Sequence, residues 1–468
     1  MENQNYNNSE MGGERSEKNS SRGQKNRFWK GVLVGALVTA FAGLLVVGMS
    51  LGIYLFGRTI IGSSHLPQAG GSGGPEITDG KEELDYEQVN AKISLMQQII
   101  DQYFLYDEDM DQVEEFIYKG MLAGLNDPYS EYYTAQEYQE MQESTEGVYS
   151  GIGAMLSQNR TTGLCTVIRV FEGSPAYESG MKPGDILYKV EDQMVANESL
   201  SVLVNNYIKG EEGTDVDITV YRQDSDEYVD MTVTRRSIEV PTVEYQMLDN
   251  HIGYLLITQF DVITVDQFKA AVDDLTAQGM QGLVLDLRNN PGGVLDSAVA
   301  IADYLLPDDM TRYAQGGGST MIVYTADKNG KGDHYTASDG HELDIPMAVL
   351  INGDSASASE VLTGALMDYN WAKVVGTTSY GKGIVQSLMS LGDGSALKIT
   401  VAHYYTPSGF DLHGKGIEPD VSVELDADLK TQALVKPEED NQVQAAVAEV
   451  MKGLNMENAQ EGAGVPAA

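Results

Sequence analysis

In Asn352-Gly353-Asp354-Ser355-Ala356-Ser357-Ala358-Ser359-Glu360, three serines interleaved with alanines join an apolar run to a helical one. Alanine neighbours leave a hydroxyl sterically open. The start of a helix supplies unpaired N–H groups and a dipole that favours developing negative charge. A serine there suits nucleophilic attack, and Ser357-x-x-Glu360 is equally a capping box that needs no chemistry at all. A nucleophilic serine requires a base. The histidines at 65, 251, 334, 341, 403 and 413 are scattered, and His341-Glu342 lacks the second histidine of a zinc-protease helix. The other candidate is Lys382 in Ser379-Tyr380-Gly381-Lys382-Gly383, 25 residues after Ser357. A lysine acts as base only when neutral, so burial must lower its ordinary pKa of about 10.4. A solvated surface lysine is the plain alternative.

Gln386 follows Lys382 by four residues, which places both on one face of an extended chain where the amide could fix the amine. An exposed strand amide is the competing assignment. Asp368 lies eleven residues beyond Ser357, about 16 Å along a continuous helix, which makes it structural or supporting. For an oxyanion, the N–H of Ala358 is one donor. Asn290-Pro291-Gly292-Gly293, after a strand end, offers Gly292 and Gly293 as the second, unless it is only a tight turn. Gly376 to Lys382 also matches G-x-x-x-x-G-K, but Gly383 replaces the magnesium-binding Ser or Thr, and the following residues alternate like a strand. Nucleotide binding is therefore rejected.

The elements that must position these residues are apolar strands separated by helices. Strands are predicted at 251–260, 282–290, 346–353, 372–376, 384–391 and 396–406, with helices at 265–278, 295–306 and 357–369. Such a pattern predicts a sheet covered on both faces. Residues 146–237 read instead as a compact β module, with strands at 165–170, 185–190, 216–222 and 228–236 and a short helix at 200–208. Residues 81–145 show helical spacing, and 426–468 form an acidic tail with an amphipathic stretch near 443–454.

The chain has 468 residues and a formal net charge of −40, which argues for several domains and against nucleic acid as a partner. A single cysteine, Cys165, excludes a disulfide framework and multi-cysteine metal sites; no metal or cofactor is expected. Residues 31–57 carry no charge, long enough to span a bilayer as a helix. Six basic residues precede this stretch and only Arg58 follows it before Lys81. The positive-inside rule then keeps residues 1–30 cytoplasmic and everything after the span extracytoplasmic. A cleaved signal peptide is the alternative, although its apolar region is usually shorter. Residues 58–80 read as a flexible linker.

Taken together, the motifs resemble the carboxyl-terminal processing peptidases, or tail-specific proteases. They are Asp127-Pro-Tyr-Ser130-Glu-Tyr132, Ser174-Pro175-Ala176 with Gly180-Met-Lys-Pro-Gly184-Asp185, Asp286-Leu-Arg288-Asn-Asn290-Pro-Gly-Gly293, Ser355–Glu360, Gly381–Gln386, and Tyr405–Gly409 through Gly416–Asp420. The resemblance runs in order over residues 85–455. It implies a Ser-Lys dyad with Ser357 as nucleophile, Lys382 as base and Gln386 orienting the lysine; in some members an acidic residue at the position of Asp368 also matters. It identifies 146–237 as a PDZ domain, whose carboxylate-binding loop falls on Gly151-Ile152-Gly153-Ala154, and 238–425 as an α/β serine protease core. Such a protein is expected to be a membrane-anchored endopeptidase acting on proteins or peptides with free C-termini, with a homo-oligomer allowed. A PDZ-based binding or quality-control scaffold with little catalysis is the alternative.

Overall fold

The computed structural model describes residues 84–159, 161–195, 198–310, 320–430 and 435–463. The expected cytoplasmic tail, span 31–57 and linker 58–80 lie outside the described residues, among which no helix is long and apolar enough to cross a membrane. The chain divides into two compact units at residue 105. In the first, the helix Tyr86–Tyr103 starts at Asp85, whose carboxylate accepts the Gln88 N–H, and none of its residues is buried.

The second unit is built around a six-stranded sheet. Its order is Val243–Met247, Ile252–Ile257, Gly282–Asp286, Met347–Ile351, Ala372–Gly376 and Val421–Ser422. The first strand is antiparallel to its neighbour and the others run parallel. Alternate residues divide between two faces, as a strand's period of two requires. Leu283, Leu285, Met347, Val349 and Ile351 pack beneath the helices Thr264–Ala277, Leu295–Leu305 and Ala358–Asp368. Val284, Ala348 and Leu350 pack with Val443, Ala446 and Val450 of the C-terminal helix Asn441–Ala463. The expected double covering is therefore present, and it explains why these strands read as unbroken apolar runs. Truncating a buried leucine such as Leu285 to alanine should cost about 2–5 kcal/mol. Both loops of chemical interest, 287–293 and 352–357, leave the carboxyl ends of neighbouring strands in this sheet, where open α/β sheets place their ligands.

A second, antiparallel sheet was not anticipated as a separate layer. Ala396–Tyr405 lies at its centre, flanked by Ile384–Ser390, Met321–Asp327 and Glu131–Tyr133, with His334–Thr336 beyond. The spacing over 81–145 predicts helix, and the segment does hold the helices Met110–Ala123 and Ala135–Glu146. Between them, however, Glu131–Tyr133 pairs with Ala396–Lys398. Three residues are too few to show a period, and their partner is more than 260 residues away, so the sequence carries no local sign of this strand.

The β module has its own core of Cys165, Val167, Leu187, Val190, Leu203, Ile218 and Val220. Its five main strands run in the order Ala154–Gln158, Cys165–Val170, Ile186–Val190, Asp215–Arg222 and Glu227–Thr234. A helical segment spans Leu200–Ile208 as predicted. Val148–Gly151 and Arg236–Glu239 pair where the chain enters and leaves the module.

Candidate active site

Ser357 occupies the turn between Met347–Ile351 and the helix Ala358–Asp368, with φ 56° and ψ −115°. A non-glycine residue adopts such angles only where its surroundings over-determine them. Several bonds do so here. The Ser357 N–H donates to Glu360 Oε2 at 2.9 Å, and the Ser357 carbonyl accepts N–H groups from Glu360 and Val361. The Tyr404 hydroxyl donates to the same carbonyl at 3.0 Å. On the flanks, Ser355 Oγ donates to Leu287 O and Ser359 Oγ to Asn290 O, fastening the serine run to the adjacent loop. Glu360 thus caps the start of the helix at the Ser357 N–H.

Glu360 does more than cap. Its carboxylate is 1 % exposed and accepts four hydrogen bonds. Oε1 takes Ser379 Oγ at 2.5 Å and the Gly381 N–H at 2.7 Å; Oε2 takes Ser357 N–H and Lys382 N–H, both at 2.9 Å. One side chain therefore joins the serine turn to the lysine loop. The sequence signalled Glu360 only through its capping spacing. Tyr404, 2 % exposed, adds a second tie, because its hydroxyl also contacts the Lys382 carbonyl. Burial and the nearby Glu360 carboxylate hold the Tyr404 phenol well above its ordinary pKa, so it stays protonated and able to donate.

Gly381 lets the chain turn inward at the lysine. Its φ is +88°, and a Cβ would stand 2.8 Å from Gly416 N and 3.0 Å from Lys415 N. Lys382 is half-buried, with its ammonium 4.8 Å from the centre of the Tyr129 ring. Burial pushes its pKa below the ordinary lysine range and the Lys398 ammonium pushes the same way, while Glu131, Asp127 and Glu360 pull it back up. That is the direction a general base needs.

Ser357, Lys382, Gln386 and Gly293 all line one cleft of about 420 Å³, together with Pro291, Lys398 and Tyr404. Gln386 reaches it past a β-bulge between Val385 and Gln386. Its amide contacts the Ile384 carbonyl at 3.5 Å, and among the described residues no hydrogen bond joins it to Lys382. None joins Ser357 Oγ to Lys382 Nζ either; catalytic hydrogen bonds often tighten only when substrate is bound. Among the described residues, no histidine lines the cleft.

The three oxyanion candidates separate. The Gly292 N–H donates to Asn290 Oδ1 at 2.9 Å, which corrects its assignment as a donor to substrate. Its role is steric: a Cβ would lie 2.7 Å from Ala356 O and 2.8 Å from Ser357 Cβ. Among the described residues, no hydrogen bond is drawn from the N–H of Ala358 or of Gly293. Ala358 follows the serine in sequence, and Gly293 lines the same cleft. Asp368 is not part of the cleft; it accepts the Ser408 N–H at 2.7 Å, in keeping with the expected separation along the helix. Asp303, Asp308 and Asp339 form a carboxylate cluster elsewhere, and their oxygens take the N–H groups of Ser338, Asp339, Gly340 and His341.

In the β module, Gly151–Ala154 leads into Ala154–Gln158, an edge strand with one neighbour. Its open edge suits strand addition. The Gly153 carbonyl accepts from Phe171 N–H and Ser174 Oγ, and the Gly153 backbone also hydrogen-bonds the half-buried Tyr149 phenol, whose pKa desolvation pushes up to about 12.

Comparison with known proteins fits this geometry. The description "Peptidase family S41" matches residues 251–423, and "PDZ domain" matches 150–233. The carboxy-terminal-processing protease of Bartonella bacilliformis is 34 % identical over 353 residues, covering 74 % of this chain and 78 % of that protein. The chain belongs to peptidase family S41. A probable CtpA-like serine protease of Staphylococcus aureus is 35 % identical over 346 residues, 74 % of this S41 peptidase and 66 % of the relative. A solved structure of the photosystem II D1 C-terminal processing protease is 27 % identical and covers 71 % of this chain and 86 % of its own, with a TM-score of 0.41. This S41 peptidase is accordingly a serine peptidase of the carboxy-terminal-processing kind, with a PDZ domain preceding the protease core.

Proposed function

We propose that the protein is a membrane-anchored endopeptidase that cuts exported or unfolded proteins near their free C-termini by Ser-Lys acyl-enzyme chemistry. The observation that carries this reading is that Ser357, Lys382 and Gly293 line one cleft, while among the described residues the N–H groups of Gly293 and of Ala358, next to the serine, make no hydrogen bond. Ser357 Oγ attacks the scissile carbonyl, neutral Lys382 takes its proton, and Ala358 N–H and Gly293 N–H receive the oxyanion. The protonated lysine then returns the proton to the leaving amine, and water releases the acyl group by the reverse path. Gln386 faces the same space and steadies the amine once substrate closes the cleft. The PDZ domain holds the substrate's C-terminal strand on the edge Ala154–Gln158, with its carboxylate at Gly151–Ala154. Residues 31–57 anchor the chain with its N-terminus cytoplasmic and the catalytic region outside.

A fluorophosphonate probe followed by peptide mass mapping tests the chemistry. Modification should fall on Ser357, vanish in Ser357→Ala and slow greatly in Lys382→Ala. Modification of a different serine in the wild-type protein sinks the proposal. The topology is tested by protease added to intact protoplasts, which should digest the region after residue 60 and spare the tail.

A further inference from the structure

Lys382 is not the only cation in the cleft. Lys398 lines it too, from the central strand of the antiparallel sheet. Its ammonium is fixed by Glu131 Oε2 at 2.6 Å and by the Tyr133 hydroxyl at 2.7 Å. Tyr133 in turn donates to the same carboxylate oxygen at 2.8 Å. The register favours this arrangement, because Glu131 stands directly opposite Lys398 across the paired strands. Lys382, by contrast, forms no ion pair among the described residues.

The groups facing Lys382 come from every surrounding element. Lys398 and Glu131 stand on the paired strands, Asp127 in the loop before them, and Glu360 on the helix behind Ser357. The Tyr129 ring lies over the ammonium, and the Tyr404 hydroxyl holds the Lys382 carbonyl. Glu360 is saturated by four donors, and Asp127 accepts from Ser130 Oγ and the Tyr129 N–H. Glu131 is thus the carboxylate that would turn to the general base if Lys398 did not hold it.

Building on the Ser357–Lys382 reading, we propose that Lys398 is a positioning residue: it sequesters Glu131 and stands as the second cation of the cleft, leaving the Lys382 amine unpaired and available to Ser357. A lysine placed beside another cation is an established way to obtain a neutral amine near physiological pH. The opposed influences of Lys398 and Glu131 on Lys382 agree with this division of roles.

The test is the pH profile of kcat/KM between pH 5 and 10 for the whole protein on an unstructured peptide with a free C-terminus. Lys398→Met should move the acid limb upward by about one pH unit, a roughly tenfold loss along the limb that fades as the profile reaches its alkaline plateau. Lys398→Arg keeps the charge and should leave the limb in place. Adding Glu131→Gln to Lys398→Met removes the competing carboxylate and should bring the limb most of the way back. The proposal is overturned if Lys398→Met leaves the limb unmoved. It is equally overturned by a uniform loss at every pH that Glu131→Gln does not relieve, since that marks a purely structural residue. Turnover by Lys382→Ala would instead overturn the dyad itself, so the two failures are separable.

Discussion

Glu360→Gln isolates the residue that binds the two halves of the active site together. The carboxylate accepts four donors, two on each oxygen, and an amide has only one accepting oxygen. The least costly arrangement turns the amide nitrogen toward Ser379, whose hydroxyl can reverse and accept. The oxygen then keeps the N–H groups of Ser357 and Lys382, and the Gly381 N–H is stranded. One buried unsatisfied donor costs about 1–3 kcal/mol, and the remaining bonds lose the strength that a charged acceptor gives them. A loss of about 2 kcal/mol is expected, which lowers Tm by roughly 2–4 °C in a unit of this size. Catalysis should suffer more, because Ser357 and Lys382 are no longer drawn to a common charge. Misplacement by about 1 Å is sufficient for a ~100-fold loss. Differential scanning calorimetry and kcat/KM on an unstructured peptide measure the two effects. A Glu360→Gln protein with wild-type Tm and wild-type kcat/KM would refute the reasoning that this carboxylate organises the site.

Other expectations follow from the same geometry. Because burial lowers the Lys382 pKa, the amine binds its proton more weakly than a free lysine, so kcat/KM should rise with pH through a limb lying below about 10.4; a profile flat from pH 5 to 10 contradicts a lysine base. Gly292→Ala forces a Cβ against Ala356 O and Ser357 Cβ at a φ of +100° and should cost about 1–3 kcal/mol and most of the activity, read by Tm and probe labelling of Ser357. Asp368→Ala removes the bond to the Ser408 N–H and should cost about 1 kcal/mol while Ser357 labelling stays near the wild-type rate. If the edge strand Ala154–Gln158 receives substrate tails, peptides ending in a free carboxylate should be cut faster than their amidated forms, and equal rates remove that role.

What the sequence revealed, and what it hid, follows from the range of the interactions. The strands Gly282–Asp286, Met347–Ile351 and Ala372–Gly376 were legible because burial on both faces leaves apolar runs that stand out locally. The serine run and the lysine loop are legible as short motifs, and Ser357 and Lys382 line one cleft. Hidden were the features made by tertiary pairing. Glu131–Tyr133 is too short to announce itself, yet its register against Ala396–Lys398 brings Tyr133 and a second lysine, held by Glu131, to the cleft. Tyr404 looked like an ordinary strand aromatic, and only folding brings its hydroxyl to the carbonyls of Ser357 and Lys382. Gly292 was read as a donor because nothing in Asn290-Pro-Gly-Gly293 shows that the Asn290 side chain accepts its N–H.

The central claim is that Ser357 and Lys382 act as one unit. Its most direct test is kcat/KM for Ser357→Ala, Lys382→Ala and the double variant on one unstructured peptide with a free C-terminus. Residues that act together are grossly non-additive, so each single variant should lose nearly all activity and the double variant should lose little more. Substantial turnover by Lys382→Ala, or a double variant whose loss is the product of two independent effects, would contradict the account.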